Sequence, residues 1–208
     1  EQIVHYPFTS LHEADVLKKP VGKQEKAALR KELGMVEDKI ILSVGQFIHR
    51  KGYDILFKSL YKLGSSIGCY IVGGKPTEEY RKIVKDYNLK NVHFIDFKLK
   101  DELNKYYKAA DLFVFPTRED IWGLVVNEAM AQGLPVITTN RCIAGLELVT
   151  NSSMGQIVQI EDSDALAVAI KQELDILSEE RSVLILKKIS QYTIEKMAIT
   201  HMKWLERN

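Results

Sequence analysis

The sequence predicts an α/β protein: a Rossmann-like doubly wound parallel sheet of about six strands, with helices on both faces. Three observations predict it. Short apolar runs such as IILSV and LFVF lack the alternation of a half-exposed strand, so they read as strands covered on both sides. Segments with apolar residues at helical spacing alternate strictly with those runs. Several strand-to-helix passages carry glycines or clustered charges, at the edge where open α/β sheets bind ligands.

Residues 1–20 mix a short apolar run (3–8) with polar turn residues and Pro20, and are expected to be an inter-domain connection or an entry strand. The main domain is expected over 21–190. Residues 24–33 form a charged surface helix with a narrow stripe of Ala27, Ala28 and Leu33, stopped by Gly34. The first strong strand is 39–45. It leads through a loop, 46–52, that carries His49, Arg50 and Lys51, into a helix at 53–63 with Ile55, Leu56, Phe57, Leu60 and Leu63 at helical spacing. A strand at 68–72 ends at Gly73 and Gly74, a pair that allows a tight turn and a close ligand approach. A helix at 77–87, a strand at 92–96, a loop at 97–100 and a helix from Asp101 with Leu103, Tyr106, Tyr107 and Ala110 inward follow.

The stretch 112–138, LFVFPTREDIWGLVVNEAMAQGLPVIT, organises the chain. A strand at 112–115 stops at Pro116; a polar turn crowds Arg118, Glu119 and Asp120; a helix spans 123–132 and Gly133 closes it; a strand follows at 134–138. This is a βαβ crossover. Unpaired N–H groups in the helix's first turn suit an anion, and Gly123 lets it approach the backbone. Asp120 precedes the helix and Glu128 lies within it, with seven residues between them. The ordinary reading of such acids is a helix cap and a solvated surface carboxylate. Beyond the crossover come a short helical piece in 142–149, a strand at 155–160, a helix capped around Asp162, and helices at 179–190 and 193–206.

Composition excludes several classes. Among 208 residues, 46% are hydrophobic and 27% charged, an ordinary globular balance, and a formal charge of +1 gives no reason to expect nucleic acid as a partner. The two cysteines, Cys69 and Cys142, lack CxxC spacing and are expected buried and reduced. No run approaches the roughly 20 apolar residues of a membrane span, and no signal peptide is evident. The five histidines (5, 12, 49, 93 and 201) have no triad partner at a recognisable spacing, so no metal or hydrolase site is expected.

Three phrases together resemble the group 1 glycosyltransferases, retaining enzymes of the GT-B architecture. SVGQFIHRKGYDIL is similar to that family's VGR…KG…L segment. PTREDIWGLVVNEAMAQGLPVI resembles its signature of an acid, seven residues and a glutamate, followed by EAMA-x-G-x-PV. YIVGG and HFIDF stand where the family has two strands between those motifs, and the match covers roughly residues 38–170.

The resemblance implies the donor-binding, C-terminal half of a two-domain enzyme. It implies a nucleotide sugar (a UDP-, GDP- or ADP-sugar) as substrate, with no cofactor and no metal, and a glycan or lipid-linked acceptor. The acceptor would be held by an N-terminal domain outside this chain, an expectation that also fits a start at Glu1 in mid-pattern. Helix 193–206, within a C-terminal segment 191–208, would cross back to that domain. The protein is expected to be cytoplasmic, with peripheral attachment at the inner face of a membrane through the other domain as an extension. The isolated chain is expected to transfer no sugar.

The resemblance implies these site residues: Lys51 on the donor diphosphate; the N–H groups around Gly123, Leu124 and Val125 on phosphate oxygens; Glu128 accepting from ribose hydroxyls; Asp120 at the sugar. Gly45, Gln46, Arg50 and Gly73 would line the donor site, and Phe97 and Lys98 would flank the base. Lys51, Asp120 and Glu128 are assigned the catalytic part. Two positions depart from the family. Gln46 stands where Arg is usual and cannot give an ionic fork, a deficit Arg50 could make up. Asp120 replaces Glu and shortens the arm by roughly 1.5 Å. Other readings are a non-catalytic sugar-nucleotide-binding or scaffold domain, a sugar-nucleotide epimerase, and a nicotinamide dehydrogenase. The absence of GxGxxG after the first strand argues against the last.

Overall fold

The structure is a computed structural model that describes residues 8–206. The apolar run expected at 3–8 lies almost wholly outside those residues.

Six parallel strands form one sheet: β1 (Lys39–Val44), β2 (Ile67–Val72), β3 (Val92–Ile95), β4 (Leu112–Phe115), β5 (Val136–Thr139) and β6 (Gly155–Val158). Their spatial order is β3-β2-β1-β4-β5-β6. The helices are α1 (Lys23–Glu32), α2 (Tyr53–Leu63), α3 (Glu78–Asp86), α4 (Lys100–Ala109), α5 (Leu124–Ala131), α6 (Ile143–Leu148), α7 (Ser163–Asp175), α8 (Glu179–Ile189) and α9 (Ile194–Leu205). The expected doubly wound sheet is therefore present, and the expected elements fall within a few residues of the observed ones.

Strand burial explains why the apolar runs do not alternate. Along β1, Ile40, Leu42 and Val44 enter one core and Ile41 enters the other. One core joins the sheet to Tyr106 and Tyr107 of α4, Val126 and Met130 of α5, Leu148 of α6 and Ile185 of α8. The other joins it to Tyr53, Leu56 and Phe57 of α2, Tyr80 of α3 and Ile170 of α7. Both faces are dry, as a parallel sheet requires. Cys69 and Cys142 are buried free thiols. Among the described residues no helix is long and apolar enough to cross a membrane.

The strand order reverses direction between β1 and β4. β1 leads outward to β2 and β3, while β4 leads the other way to β5 and β6. From there β1 leads into α2 on one face and β4 into α5 on the other, and the carboxyl ends of such a pair are the usual ligand position in open α/β sheets.

Candidate functional site

The loop after β1 is more ordered than a plain connection. Residues His49–Lys51 form one 3-10 turn, ended by Gly52 in the left-handed region at φ 68°. A Cβ on Gly52 would stand 2.0 Å from the Pro116 carbonyl oxygen. The 3-10 turn is thus seated directly on the end of β4, and only glycine permits it. Two further bonds tighten the seat: the Arg118 N–H and the Thr117 hydroxyl both donate to the Arg50 carbonyl, at 2.8 and 3.0 Å.

This close approach brings the two predicted charge centres together. Lys51 Nζ donates to Asp120 Oδ2 at 2.8 Å and lies 4.6 Å over the Phe115 ring. Arg50 Nη1 donates to the same oxygen at 3.0 Å and to the Glu119 carbonyl at 2.8 Å. Partial burial works to raise the Asp120 carboxyl, but Lys51 and Arg50 outweigh it and leave it below the usual carboxylate range. Asp120 does not cap α5. That position belongs to Gly123, at φ 97°. A Cβ there would lie 2.9 Å from Cys142 Sγ and 3.3 Å from the Phe115 ring, so packing at this buried position requires glycine. The N–H groups of Leu124 and Val125 open the helix, where no intrahelical acceptor exists for them. The helix dipole adds partial positive charge at the same spot.

Glu128 is not a solvated surface carboxylate either. It lies one turn into α5, half-buried, and its Oε2 accepts from the Tyr107 hydroxyl at 2.9 Å. Burial pushes the Glu128 carboxyl up, and the Tyr107 bond only partly offsets this. Tyr107 itself is fully buried in α4, and its phenol is pushed well above its ordinary range by burial and by Glu128.

Other predicted residues fall at the same sheet edge in different roles. Gly45 follows β1 at φ 150°, and a Cβ there would press on the Tyr53 hydroxyl at 3.1 Å and on the Lys51 stem at 3.4 Å. Gly73 follows β2, but its smallness serves the fold: a Cβ would meet the Gly45 carbonyl oxygen at 1.9 Å. Gln46 is exposed beside Gly45. Phe97 and Lys98 follow β3, two strands from β1. Phe97 is 71% exposed, and Lys98 reaches Glu102 at 3.7 Å.

Arg118 is the main residue that sequence reasoning leaves without a role. Its guanidinium makes a two-pronged pair with Asp54 at the start of α2, both bonds at 2.8 Å, and also pairs with Glu161 after β6. It donates to the His49 carbonyl at 2.7 Å as well. Three loops are thereby tied to one cation. The adjacent loop after β5 is tied by backbone bonds, from the Asp120 N–H to the Arg141 carbonyl at 3.0 Å and from the Ala144 N–H to the Trp122 carbonyl at 2.8 Å. Among the described residues no group of three His, Cys, Asp or Glu side chains could hold a metal ion.

The switch point of this doubly wound domain thus gathers Arg50, Lys51, Asp120 and the start of α5. The chain belongs to the glycosyl transferases group 1 family, whose profile residues 25–188 match. A glycosyltransferase of Methanocaldococcus jannaschii is 30% identical over 158 residues, which are 73% of this chain and 40% of the relative. Sucrose-phosphate synthase from Thermosynechococcus elongatus superposes with a TM-score of 0.75 at 29% identity, covering 96% of this chain and 51% of that one. The Anabaena protein HepE, solved in complex with UDP and glucose, shares the fold with a TM-score of 0.76 at 18% identity over 95% of this chain and 54% of its own. The chain thus spans about half or less of each of these proteins.

Proposed function

We propose that this chain is the donor-binding half of a glycosyltransferase. It holds a nucleotide diphosphate sugar at the switch point between β1 and β4 for transfer, with retention of configuration, to a glycan or lipid-linked acceptor held by a second domain. The observation that carries the reading is the meeting of Lys51, Asp120 and the start of α5 at the switch point, 2.8 Å separating the first two.

Each residue then has a physical task. Transfer leaves negative charge on the departing diphosphate while the sugar becomes cationic. Lys51 and the N–H groups of Leu124 and Val125 oppose that charge with fixed dipoles and a cation that need little rearrangement. Glu128, once ionised, is acceptor-only and fits the paired hydroxyls of a ribose. Asp120 addresses the sugar. Phe97 and Lys98 stand at the same edge, where the base would lie. Helix α9 has no buried residue and leaves Met202 and Leu205 exposed, a face suited to a second domain. By the same reading the isolated chain transfers no sugar, and the protein is cytoplasmic.

A sugar-nucleotide-binding role without catalysis is the second reading. It is favoured by the uncharged Gln46 at the mouth of the site and by the use of both cations on Asp120. Calorimetric titration with UDP, GDP and ADP, beside Glu128→Ala, tests what both readings share. Selective binding that the variant loses supports a donor site; a folded chain that binds none of them, alone or within a longer protein, removes it. Sugar transfer by the longer protein separates the enzyme from the scaffold.

A further inference from the structure

The charges at the switch point are unequally spent. Arg118 is consumed by two carboxylates, Asp54 and Glu161, and is bound into the fold. Arg50 and Lys51 share a single carboxylate oxygen, Asp120 Oδ2. Those three groups carry one net positive charge. A nucleotide sugar brings about two negative charges on its diphosphate, and a nucleoside diphosphate brings closer to three because its terminal phosphate ionises again. Both need the cations that Asp120 holds.

We propose that Asp120 competes with the diphosphate for Lys51 and Arg50, and yields them only where a sugar offers hydroxyl groups in exchange. The proposal rests on the donor-site reading above and extends it to discrimination between substrate and spent nucleotide.

Three features make the exchange possible. First, the backbone of Asp120 is pinned on both sides: its N–H donates to the Arg141 carbonyl at 3.0 Å, and its carbonyl accepts from the Ile143 N–H at 3.3 Å. Only the side chain can turn away. Second, the short aspartate arm lets the carboxylate lie back on the cations, which it meets at 2.8 and 3.0 Å. Third, the carboxylate is only 15% exposed, so once it leaves Lys51 and Arg50 it needs new donors, and an unpaired carboxylate in such a place is costly. A sugar ring supplies hydroxyl donors beside the diphosphate. A terminal phosphate supplies more negative charge and no donor, so Asp120 repels it. Specificity here comes from an unfavourable pairing with the wrong ligand. The same repulsion hastens departure of the nucleoside diphosphate after transfer, a step that often limits turnover.

The test is titration of the chain with UDP, GDP and ADP and with their glucose and mannose conjugates, using wild type, Asp120→Asn and Asp120→Ser, with thermal melts to check folding. For whichever base binds, both variants should take the nucleoside diphosphate roughly tenfold tighter, while the nucleotide sugar gains less, so that the preference for the sugar form collapses. The serine variant guards against a new amide contact as the cause. Equal or weaker nucleoside diphosphate binding by two folded variants overturns the proposal while leaving the donor site standing, provided Glu128→Ala still abolishes binding. Failure of every nucleotide to bind wild type and variants alike, in this chain and within a longer protein, removes both.

Discussion

Lys51 and Asp120 lie 69 positions apart in sequence and 2.8 Å apart in space, in a bond that joins the loop after β1 to the loop after β4. It spans the point where the sheet reverses its winding.

Removing the Lys51 ammonium tests whether that cation serves a diphosphate or only Asp120. Lys51→Ala should weaken nucleotide diphosphate binding by about 1.5–3 kcal/mol, roughly 10- to 150-fold, the range of a hydrogen bond to a charged group. Calorimetry would show it. Melting temperature should change little, because Arg50 still holds Asp120.

Gly52 makes a sharper structural prediction. Alanine there must adopt φ 68° and place a methyl group against the Pro116 carbonyl. Gly52→Ala should cost about 2–4 kcal/mol of stability from left-handed strain and overpacking. A urea melt reads this directly, and a stability loss under 1 kcal/mol would contradict the seating of the 3-10 turn on β4.

Arg118 links stability to pH. Burial works to raise the Asp54 carboxyl, but Arg118 outweighs it and holds the group below the usual carboxylate range. A depressed carboxyl contributes stability above its unfolded pKa, near 3.9, and that contribution is lost as pH falls through the lower folded value. Arg118→Ala should therefore cost about 2–3 kcal/mol near neutrality, with the gap to wild type closing as the solution is acidified. Arg118→Lys should recover only part, since an ammonium cannot form the two-pronged pair.

Tyr107 should set the acid limit of nucleotide binding. Glu128 can accept ribose hydroxyls from both oxygens only when ionised, and burial has raised its pKa. Affinity should thus fall on acidification above the ordinary glutamate range. The Tyr107 hydroxyl favours the ionised form, so Tyr107→Phe should move the acid limb to higher pH. A limb unmoved in a folded variant would detach Tyr107 from the site.

Much of this was legible in the sequence, and the reasons are local. Pro116 ends β4 and Gly52 and Gly64 bracket α2, so the predicted bounds of strand 112–115 and helix 53–63 agree with the structure to the residue. Gly123 before an apolar-periodic segment marked the start of α5. What was not legible depends on packing between distant segments. The sequence of the loop 46–52 shows its charges but not the 3-10 turn that aims them. Gly73 reads as room for a ligand until the Gly45 carbonyl is seen to occupy that room. Tyr107 reads as an inward core residue, and nothing in α4 alone points its hydroxyl at Glu128. Arg118 stands in a crowded polar turn, yet its partners Asp54 and Glu161 are 64 and 43 positions away.

The central claim is that a nucleotide diphosphate binds at the start of α5 beside Lys51. Amide chemical shifts of the isotope-labelled chain, followed while UDP, GDP and ADP are added in turn, test it most directly. The account predicts that one nucleotide moves the Leu124 and Val125 amides together with those of the 46–52 loop, saturably, and that Glu128→Ala abolishes the response. Saturable shifts confined to another surface, with Leu124 and Val125 unmoved, would contradict it.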